Sequence, residues 1–345
     1  MIRNSALSLG ISLLWILIAA GTCAGIVMIA GASPAAVAQA LLQGAIGTQY
    51  NISNTLVQTI PLLITALAVV IAFRAEMFNI GVEGQFLLGA VLACWAGQAA
   101  IPGPLAIVVT LVASMVGGAL WSLIPALMLH FRGVQIVLSS LIMNFIAVQV
   151  VAWVVRGPLQ EAIREYPQSD PIRAAAELPK VISGLQLHSG LWIALAIALL
   201  FDVLVRKTVF GQHLKAVGSG LRASKTMGLP VSRILFTTVL LSGALGGLAG
   251  GIQIAGVTHF LADPYSKGYG YTAIAVALLA RLSPIGAIPA ALLFGALTSG
   301  SSAAQSAGIP VVVLQVIQAV ILFSILGARY TGTLLRNKFA SGAAA

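Results

Sequence analysis

The chain has 345 residues, of which 59% are hydrophobic and only 8% are charged, and its formal net charge is +10. Soluble domains carry about 25% charged residues, so this composition, with a mean hydropathy of +1.03, excludes a water-soluble globular protein. The basic residues lie between apolar segments without interleaved aromatic residues, which argues against a nucleic-acid-binding surface. We therefore expect an all-α, polytopic membrane protein.

Ten apolar segments follow one another along the chain, and most approach the roughly 20 residues that a helix needs to cross a bilayer. They cover about 7–30, 55–73, 86–100, 105–129, 134–155, 191–205, 234–257, 271–282, 285–301 and 311–326. The first segment is longer than the apolar region of a signal peptide, so we interpret it as a membrane helix. The sequence thus predicts about ten transmembrane helices, some of them in broken helical hairpins.

One stretch between two apolar segments is unusually polar: FRAEMFNIGVEGQ, at residues 73–85. Polar, glycine-broken backbone at membrane depth is tolerated only where it is buried in protein or lines a water-filled cavity. We therefore interpret Asn79, Glu83 and Gln85 as candidates for lining a translocation path or gate. The amides of Asn79 and Gln85 could equally cap the backbone groups that the break leaves free.

Glu83 has a structural alternative as well, because a buried carboxylate needs a partner. It could pair with Arg74 or Arg281 and hold the broken helix in register. Residues 277–297, ALLARLSPIGAIPAALLFGAL, weakly echo the polar stretch, since each has an Arg before an Ile-Gly pair. Paired interrupted segments point to the binding site of a transporter, although shared Leu, Ala and Gly enrichment would also make the two stretches similar.

The distribution of charge predicts the orientation. Residues 206–233 contain six Lys and Arg residues and no acid, whereas residues 156–189 balance four basic residues with four acidic ones. Since cytoplasmic loops are enriched in Lys and Arg, we expect 206–233 to be a cytoplasmic loop and 156–189 an external one. Both termini are then cytoplasmic.

Within the basic loop, the run LRASKTMG at residues 221–228 can form about two helical turns that end at Gly228, with Pro230 beyond. A short helix of this kind could contact lipid headgroups or dock in a groove of a partner protein. An ordinary basic loop is the third interpretation. The stop signals and the Gly-rich frame favour the partner.

The chain offers no recognisable site for chemistry. It has no phosphate-binding loop, no GxGxxG after a strand, no HExxH and no CxxC, and its four histidines are widely spaced. We therefore expect no metal, no cofactor and no enzymatic activity in this chain. A secondary transporter driven by an ion gradient is an alternative, but it would require several buried Asp, Glu or His residues.

Four blocks in one order resemble permease subunits of bacterial ABC importers. They are NIGVEGQ, LKAVGSGLRASKTMGL, LSGALGGLAGGIQIAG and GYGYTAIAVALLARLSPIGAIPAALLFGAL. The resemblance covers about residues 51–326 and is to the branch that includes sugar and branched-chain amino-acid permeases. NIGVEGQ is most similar to nucleoside-type permeases, so a nucleoside is the implied solute, with a sugar or branched-chain amino acid as the alternative.

The resemblance implies a single transmembrane permease domain, 1–345, in the bacterial inner membrane. A second permease subunit would complete a homo- or heterodimer in the lipid bilayer. A separate cytoplasmic ATPase would bind ATP, and an external substrate-binding lipoprotein or protein would deliver the solute. No nucleic acid is implied.

The resemblance also implies site residues. The segment 214–228 would be the coupling helix that sits in the ATPase groove, with the candidates Leu214, Ser219, Arg222, Ala223, Lys225, Met227 and Gly228. Asn144, in the apolar segment 134–155, is expected to face the translocation path together with Asn79, Glu83 and Gln85.

Overall fold

The computed structural model describes the backbone of residues 2–306 and 308–341, and the side chains of residues 13–306, 308–325, 327–328 and 331. Over these residues the protein is built from α-helices and loops and contains no β-strand, only two isolated β-bridges. The expected all-α class is confirmed. The chain ends themselves, predicted to be cytoplasmic, lie outside the described residues.

The α-helices in the described part of the chain are numbered α1 to α13. They are α1 (Ile2–Ile29), α2 (Pro34–Ile46), α3 (Gln49–Arg74), α4 (Val82–Gly97), α5 (Leu105–Arg132), α6 (Ile136–Arg156), α7 (Gly190–Lys207), α8 (Val209–Ser219), α9 (Leu221–Thr226), α10 (Val231–Gln253), α11 (Tyr269–Leu279), α12 (Pro284–Ser306) and α13 (Val311–Ser341). A 3₁₀ turn, Ala174–Ala176, and a π-helical turn, Ile254–Thr258, complete the helical elements.

Each of the ten predicted apolar segments coincides with one helix, whereas α2 and α8 were not predicted. Five helices among the described residues are long and apolar enough to cross a membrane: α3, α5, α6, α12, and α10 continued to Thr258. The pair α1 and α2, bent by 110°, gives a sixth candidate. Shorter apolar helices, such as α4 with 16 residues, are not among these candidates, since 16 residues span only about 24 Å. The protein is thus a multi-pass membrane protein, and ten crossings stay a prediction.

Helix starts and ends follow local chemistry. Ser33 precedes Pro34 and accepts a hydrogen bond from the Ala36 amide at 3.5 Å, which begins α2. Thr208 accepts from the Gly211 amide at 3.3 Å and so separates α8 from α7.

The chain divides into two compact units. The first is formed by the chain up to Ile52 and from Ala296 onward. Its apolar core is shared by α1, α2, α12 and α13 and contains Val27, Val37, Ala304, Leu314 and Ile317.

The second unit, Ser53–Gly295, contains the polar break predicted from the sequence. Helix α3 is its centre, and its side chains from Leu62 to Ala72 are almost fully buried. Helices α4, α5 and α10 pack closely through glycines: a Cβ at Gly118 would overlap the carbonyl oxygen of Gly243, and one at Gly250 would overlap that of Phe86. Small residues allow this close approach of backbones in membranes.

Two loops of the second unit pair with each other: the one between α6 and α7, and the one before α11. The Ser169 amide donates to the Leu261 carbonyl at 2.8 Å, and Arg156 forms an ion pair with Asp263 at 2.7 Å. The pairing holds the segment before α11 in place, and that segment leads directly to the candidate site.

Candidate functional site

The break between α3 and α4 begins with a capped helix end. Glu76 adopts a left-handed conformation with φ of 56°, and the Met77 amide donates back to the Ala72 carbonyl at 3.0 Å. This pattern satisfies carbonyls at the end of a helix. The chain then runs without helical structure until α4 begins at Val82. The predicted interruption of the apolar segments is therefore confirmed.

Asn79 is fully buried and holds the break to α10. Its amide oxygen accepts from the Gly81 backbone at 2.9 Å, and its amide nitrogen donates to the Ser242 hydroxyl at 3.0 Å. Ser242 in turn donates to the Ala68 carbonyl of α3 at 2.8 Å. In this conformation both ends of the Asn79 amide are used within the protein.

Asn144 on α6 reaches the same break from the other side. Its amide oxygen accepts from the Gly84 backbone, and its amide nitrogen donates to the Ile80 carbonyl, both at 2.9 Å. Of the two amides for which the sequence allowed a capping role, Asn79 and Gln85, it is Asn79 that bonds the freed backbone in this conformation, and Asn144, for which no such role was predicted, bonds it as well. Asn144 was predicted from the family resemblance, and the structure places it with the residues of the break.

Glu83, in the first turn of α4, lies next to the start of α11. Its carboxylate, 4% exposed, accepts a hydrogen bond from the Gly270 amide at 2.7 Å. It also contacts the Ser266 side chain and the Gly268 and Tyr271 amides. The first amides of a helix carry a partial positive charge and lack partners within the helix, so this carboxylate neutralises the N-terminus of α11.

The alternative pairing of Glu83 with Arg74 or Arg281 is not what the structure shows. The ion pairs among the described residues are Arg156–Asp263 and Arg206–Asp202. Glu83 instead has its counter-charge in the backbone amides of α11. Gly270 lies so close to the Glu83 backbone that a Cβ on it would overlap the Glu83 nitrogen, and this close approach brings the amides of α11 within reach of the carboxylate.

Gln85 is 1% exposed, and its amide oxygen has no hydrogen-bond partner among the described atoms. A buried polar atom left unpaired costs about 1–3 kcal/mol. Of the four predicted path residues, Gln85 is therefore the one with a free acceptor inside the protein.

Aromatic side chains cluster around Phe86, one turn after Glu83 on α4. The Phe86 ring lies 5.9 Å from that of Tyr265 and 5.5 Å from that of Tyr269, between ring centroids. The Tyr269 hydroxyl donates to the Gln58 side chain at 2.7 Å. Sequence reasoning missed this cluster, although the aromatic repeat in GYGYTA was a usable signal.

The second interrupted segment, between α11 and α12, contacts the first. Arg281 and Leu282 both adopt left-handed conformations, with φ of 55° and 54°. The Arg74 guanidinium, through Nε, donates to the Leu282 carbonyl at 2.7 Å. The two stretches that echo each other in sequence therefore meet in space.

The predicted coupling segment consists of two helices, α8 and α9. Leu214 is fully buried, whereas six of the predicted residues are exposed: Ser219, Arg222, Ala223, Lys225, Met227 and Gly228. Helix α9 ends before Gly228, whose φ of 77° is left-handed, as the stop signal predicted. The segment therefore has one side turned to the protein interior, with Leu214, Val217 and Ser224 buried, and a face open to a partner.

Sequence reasoning passed over Asp202, near the end of α7. It forms an i,i+4 ion pair with Arg206, Nε to Oδ1, at 2.8 Å. Both charges act electrostatically on Arg74. An acid inside the apolar segment 191–205 was the signal that could have found it. A further unpredicted neighbour is Gly218 of α8, where a Cβ would overlap the carbonyl oxygen of Arg74.

His188 is a buried residue of the loop between α6 and α7, outside the membrane-spanning segments. It is 1% exposed, and its Nδ1 accepts from the Gly190 amide at 3.2 Å. Burial, and to a smaller extent the nearby His259, lowers the pKa of His188 to about 4. The imidazole is therefore neutral at pH 7. No cluster of three or more metal-ligating side chains occurs among the described residues.

Comparison with known proteins identifies the family. Residues 51–326 match the family model described as the permease component of a branched-chain amino acid transport system. A guanosine ABC transporter permease of Bacillus subtilis is 32% identical, over 88% of this chain and 89% of its own. A glucose ABC transporter permease of Haloferax volcanii is 32% identical over 82% and 78%, and a nucleoside ABC transporter permease of Lactococcus lactis is 31% identical over 83% and 81%.

No solved structure matches the chain. The family match nevertheless includes the whole second unit, and with it the two interrupted segments that meet at Arg74 and Leu282. This chain belongs to the family of permease components of ABC transporters of the branched-chain amino acid type.

Proposed function

We propose that this permease imports a nucleoside or a related small polar solute. The observation that carries the proposal is the similarity, over 88% of this chain, to a permease named for guanosine, together with that to one named for nucleosides. A glucose permease of similar identity makes a sugar the second candidate. A branched-chain amino acid, after which the family model is named, is the third.

The chain would act as one of two membrane subunits, paired with a copy of itself or with a related permease in the inner membrane of a bacterium. A separate ATPase would bind and hydrolyse ATP, and an external binding protein would deliver the solute. The exposed residues Arg222, Ala223, Lys225 and Met227 of the coupling segment would contact the ATPase. Leu214, buried on the other side of the segment, would anchor it.

The proposed topology has ten crossings and cytoplasmic termini. It rests on the basic residues of 206–233 and the balanced charges of 156–189. Labelling of single cysteines placed at Gln212 and at Ile163, both exposed, would test it in intact cells. An impermeant reagent should label the second position only, and the reverse result would invert the topology.

The proposed gate is the break between α3 and α4, with Asn79, Glu83, Gln85 and Asn144. All four are buried in this conformation, at most 4% exposed, which fits a closed state of the path. Switching to an open state would require the helices packed around the break to move, and Gln85 offers a free acceptor for a solute. Such small rearrangements of packed elements underlie alternating access.

Uptake by the complete transporter, with its ATPase, second permease and binding protein, tests the proposal. Labelled guanosine, uridine, glucose and leucine would be supplied in turn to cells that lack or express this permease. We expect uptake of a nucleoside, abolished when the ATPase carries a substitution of its phosphate-loop lysine. Uptake of glucose or leucine alone would reassign the solute. Uptake that survives the ATPase substitution but is abolished by a protonophore would identify a secondary transporter.

A further inference from the structure

Two charged side chains that flank the α3–α4 break, Arg74 and Glu83, contact the chain at opposite ends of α11. This helix has 11 residues and is about 16 Å long. The Glu83 carboxylate accepts from the Gly270 amide in its first turn at 2.7 Å. The Arg74 guanidinium donates to the Leu282 carbonyl, just beyond its C-terminus, at 2.7 Å.

The sign of each charge complements the helix dipole at the end of α11 that it contacts. The N-terminus of a helix carries a partial positive charge and its C-terminus a partial negative charge. An anion at the first end and a cation at the second are therefore both attractive, and hydrogen bonds to charged groups are the stronger kind. Because Arg74 and Glu83 lie nine positions apart on one short connection, α11 and the break are held together as one body.

The end of α3 is also the place where the coupling segment meets the helices of the second unit. Gly218, in the last turn of α8, lies so close to the Arg74 carbonyl that a Cβ would overlap it. Leu214 and Val217 of α8 are fully buried. Only a residue without a side chain permits this contact, so displacement of α8 acts directly on the residue that holds the end of α11.

Asp202 and Arg206 of α7 lie near the same end of α3. Arg206 is paired with Asp202 at the end of α7, and both lie near enough to act on the charge of Arg74. The Arg74 backbone thus contacts α8 and its guanidinium contacts the turn after α11, with the ion pair of α7 nearby.

We propose that Arg74 and Gly218 are positioning residues through which movement of α8 is transferred to α11. Movement of α8 displaces the end of α3, and α11 follows because Arg74 and Glu83 hold both of its ends. The inference rests on the proposed function only in assuming that a partner moves the coupling segment. It holds for any solute, so failure of nucleoside uptake alone would not affect it.

The test measures the amount of solute moved per ATP hydrolysed by the complete transporter in liposomes, using whichever solute it transports. Gly218→Ala adds the overlapping Cβ, and Arg74→Gln removes the charge and weakens the bond to Leu282. We expect each to lower the ratio about tenfold, Gly218→Ala because the new Cβ forces α8 away from the end of α3 and Arg74→Gln because a charged hydrogen bond is lost, while the subunits still assemble and hydrolyse ATP. Arg74→Lys should restore much of the ratio, and Gly25→Ala, whose Cβ enters open space, should leave it unchanged.

Assembled Gly218→Ala and Arg74→Gln transporters with the native ratio would overturn the proposal. Should neither variant assemble, hydrogen–deuterium exchange of the native transporter decides. We expect the amides of α11 and of the α3–α4 break to change their exchange together when ATP binds. A change in the break without any change in α11 would show that the two do not move as one body, and would overturn the proposal equally.

Discussion

Arg74 and Glu83 lie at opposite ends of one short helix, α11, where Glu83 contacts its first turn and Arg74 the turn just beyond its last residue, each with a charge that complements the helix dipole. Because these side chains flank the break between α3 and α4, the two helix ends at the break help to fix the position of α11. The interrupted segments found in the two halves of the sequence are therefore mechanically connected, and a change at one must be accommodated at the other.

Replacing Glu83 by Gln tests the N-terminal contact. The neutral amide still fits the site, but it is a weaker acceptor and loses the attraction to the helix end, so we expect a loss of about 1–3 kcal/mol in this contact. Uptake should fall strongly, whereas the amount of protein in the membrane and its association with the ATPase should change little. Transport assays alongside immunoblots of membranes would measure both.

Glu76→Gln is the matched control, since Glu76 is an exposed acid in the same break. It should leave uptake close to the wild-type rate. If Glu83→Gln behaved like this control, with full uptake and normal stability, the carboxylate would have no role in the gate.

The close helix packing of the second unit predicts a second effect. In Gly250→Ala the new Cβ would overlap the Phe86 carbonyl of α4, and overpacking of a tight core costs about 1–3 kcal/mol. The melting temperature of the purified protein in detergent should fall, while Gly25→Ala, with open space around it, should leave it unchanged. Equal melting temperatures for the two variants would contradict the packing seen between α4 and α10.

The sequence was sufficient for the parts of the fold that depend on local composition. Apolar segments became helices, and the glycines and polar residues of 73–85 marked a real interruption. What it could not provide were partners distant in the chain: Glu83 and Gly270 are 187 positions apart, and Arg74 and Leu282 are 208 apart. A buried carboxylate requires a positive partner, and the sequence suggests an arginine more readily than the amides of a helix end.

The number of helices that cross the bilayer was harder to predict than the helices themselves, because crossing also depends on contacts between distant parts of the chain. Hydropathy locates apolar helices, but it does not show whether a helix as short as α4 or α11 passes through the bilayer or ends within it. Such helices depend on the neighbours that satisfy their ends, as Glu83 does for α11. Tertiary contacts of this kind leave no periodic signal in a single sequence.

The exposed face of the coupling segment gives a third prediction. Met227 is 66% exposed, next to the exposed Arg222 and Ala223. Introducing Glu at Arg222 or Asp at Met227 should disrupt a partner contact without disturbing the helices beneath, so ATP hydrolysis should no longer drive uptake. ATPase activity and solute uptake would be measured on the same reconstituted sample.

Glu165→Ala, on the loop between α6 and α7, serves as the control for altering an exposed charge. Its ratio of uptake to hydrolysis should equal that of the wild type. Full ATP-driven uptake by both the Arg222 and the Met227 variants would show that the ATPase contacts another part of the chain.

His188 predicts a pH dependence of stability. Its pKa, lowered by burial to about 4, lies below the value of about 6.5 in an unfolded chain, so between these values the unfolded state binds more protons than the folded one. Stability should therefore fall as the pH is lowered from about 6.5 to 4, by up to about 3 kcal/mol from this group. Melting temperatures over that range would measure it.

His188→Gln removes the titrating group and should flatten this part of the profile. Gln will fit less well between Gly190 and Gly256, so the variant will also be less stable at every pH. A variant profile parallel to that of the wild type would mean that another group is responsible for the acid sensitivity.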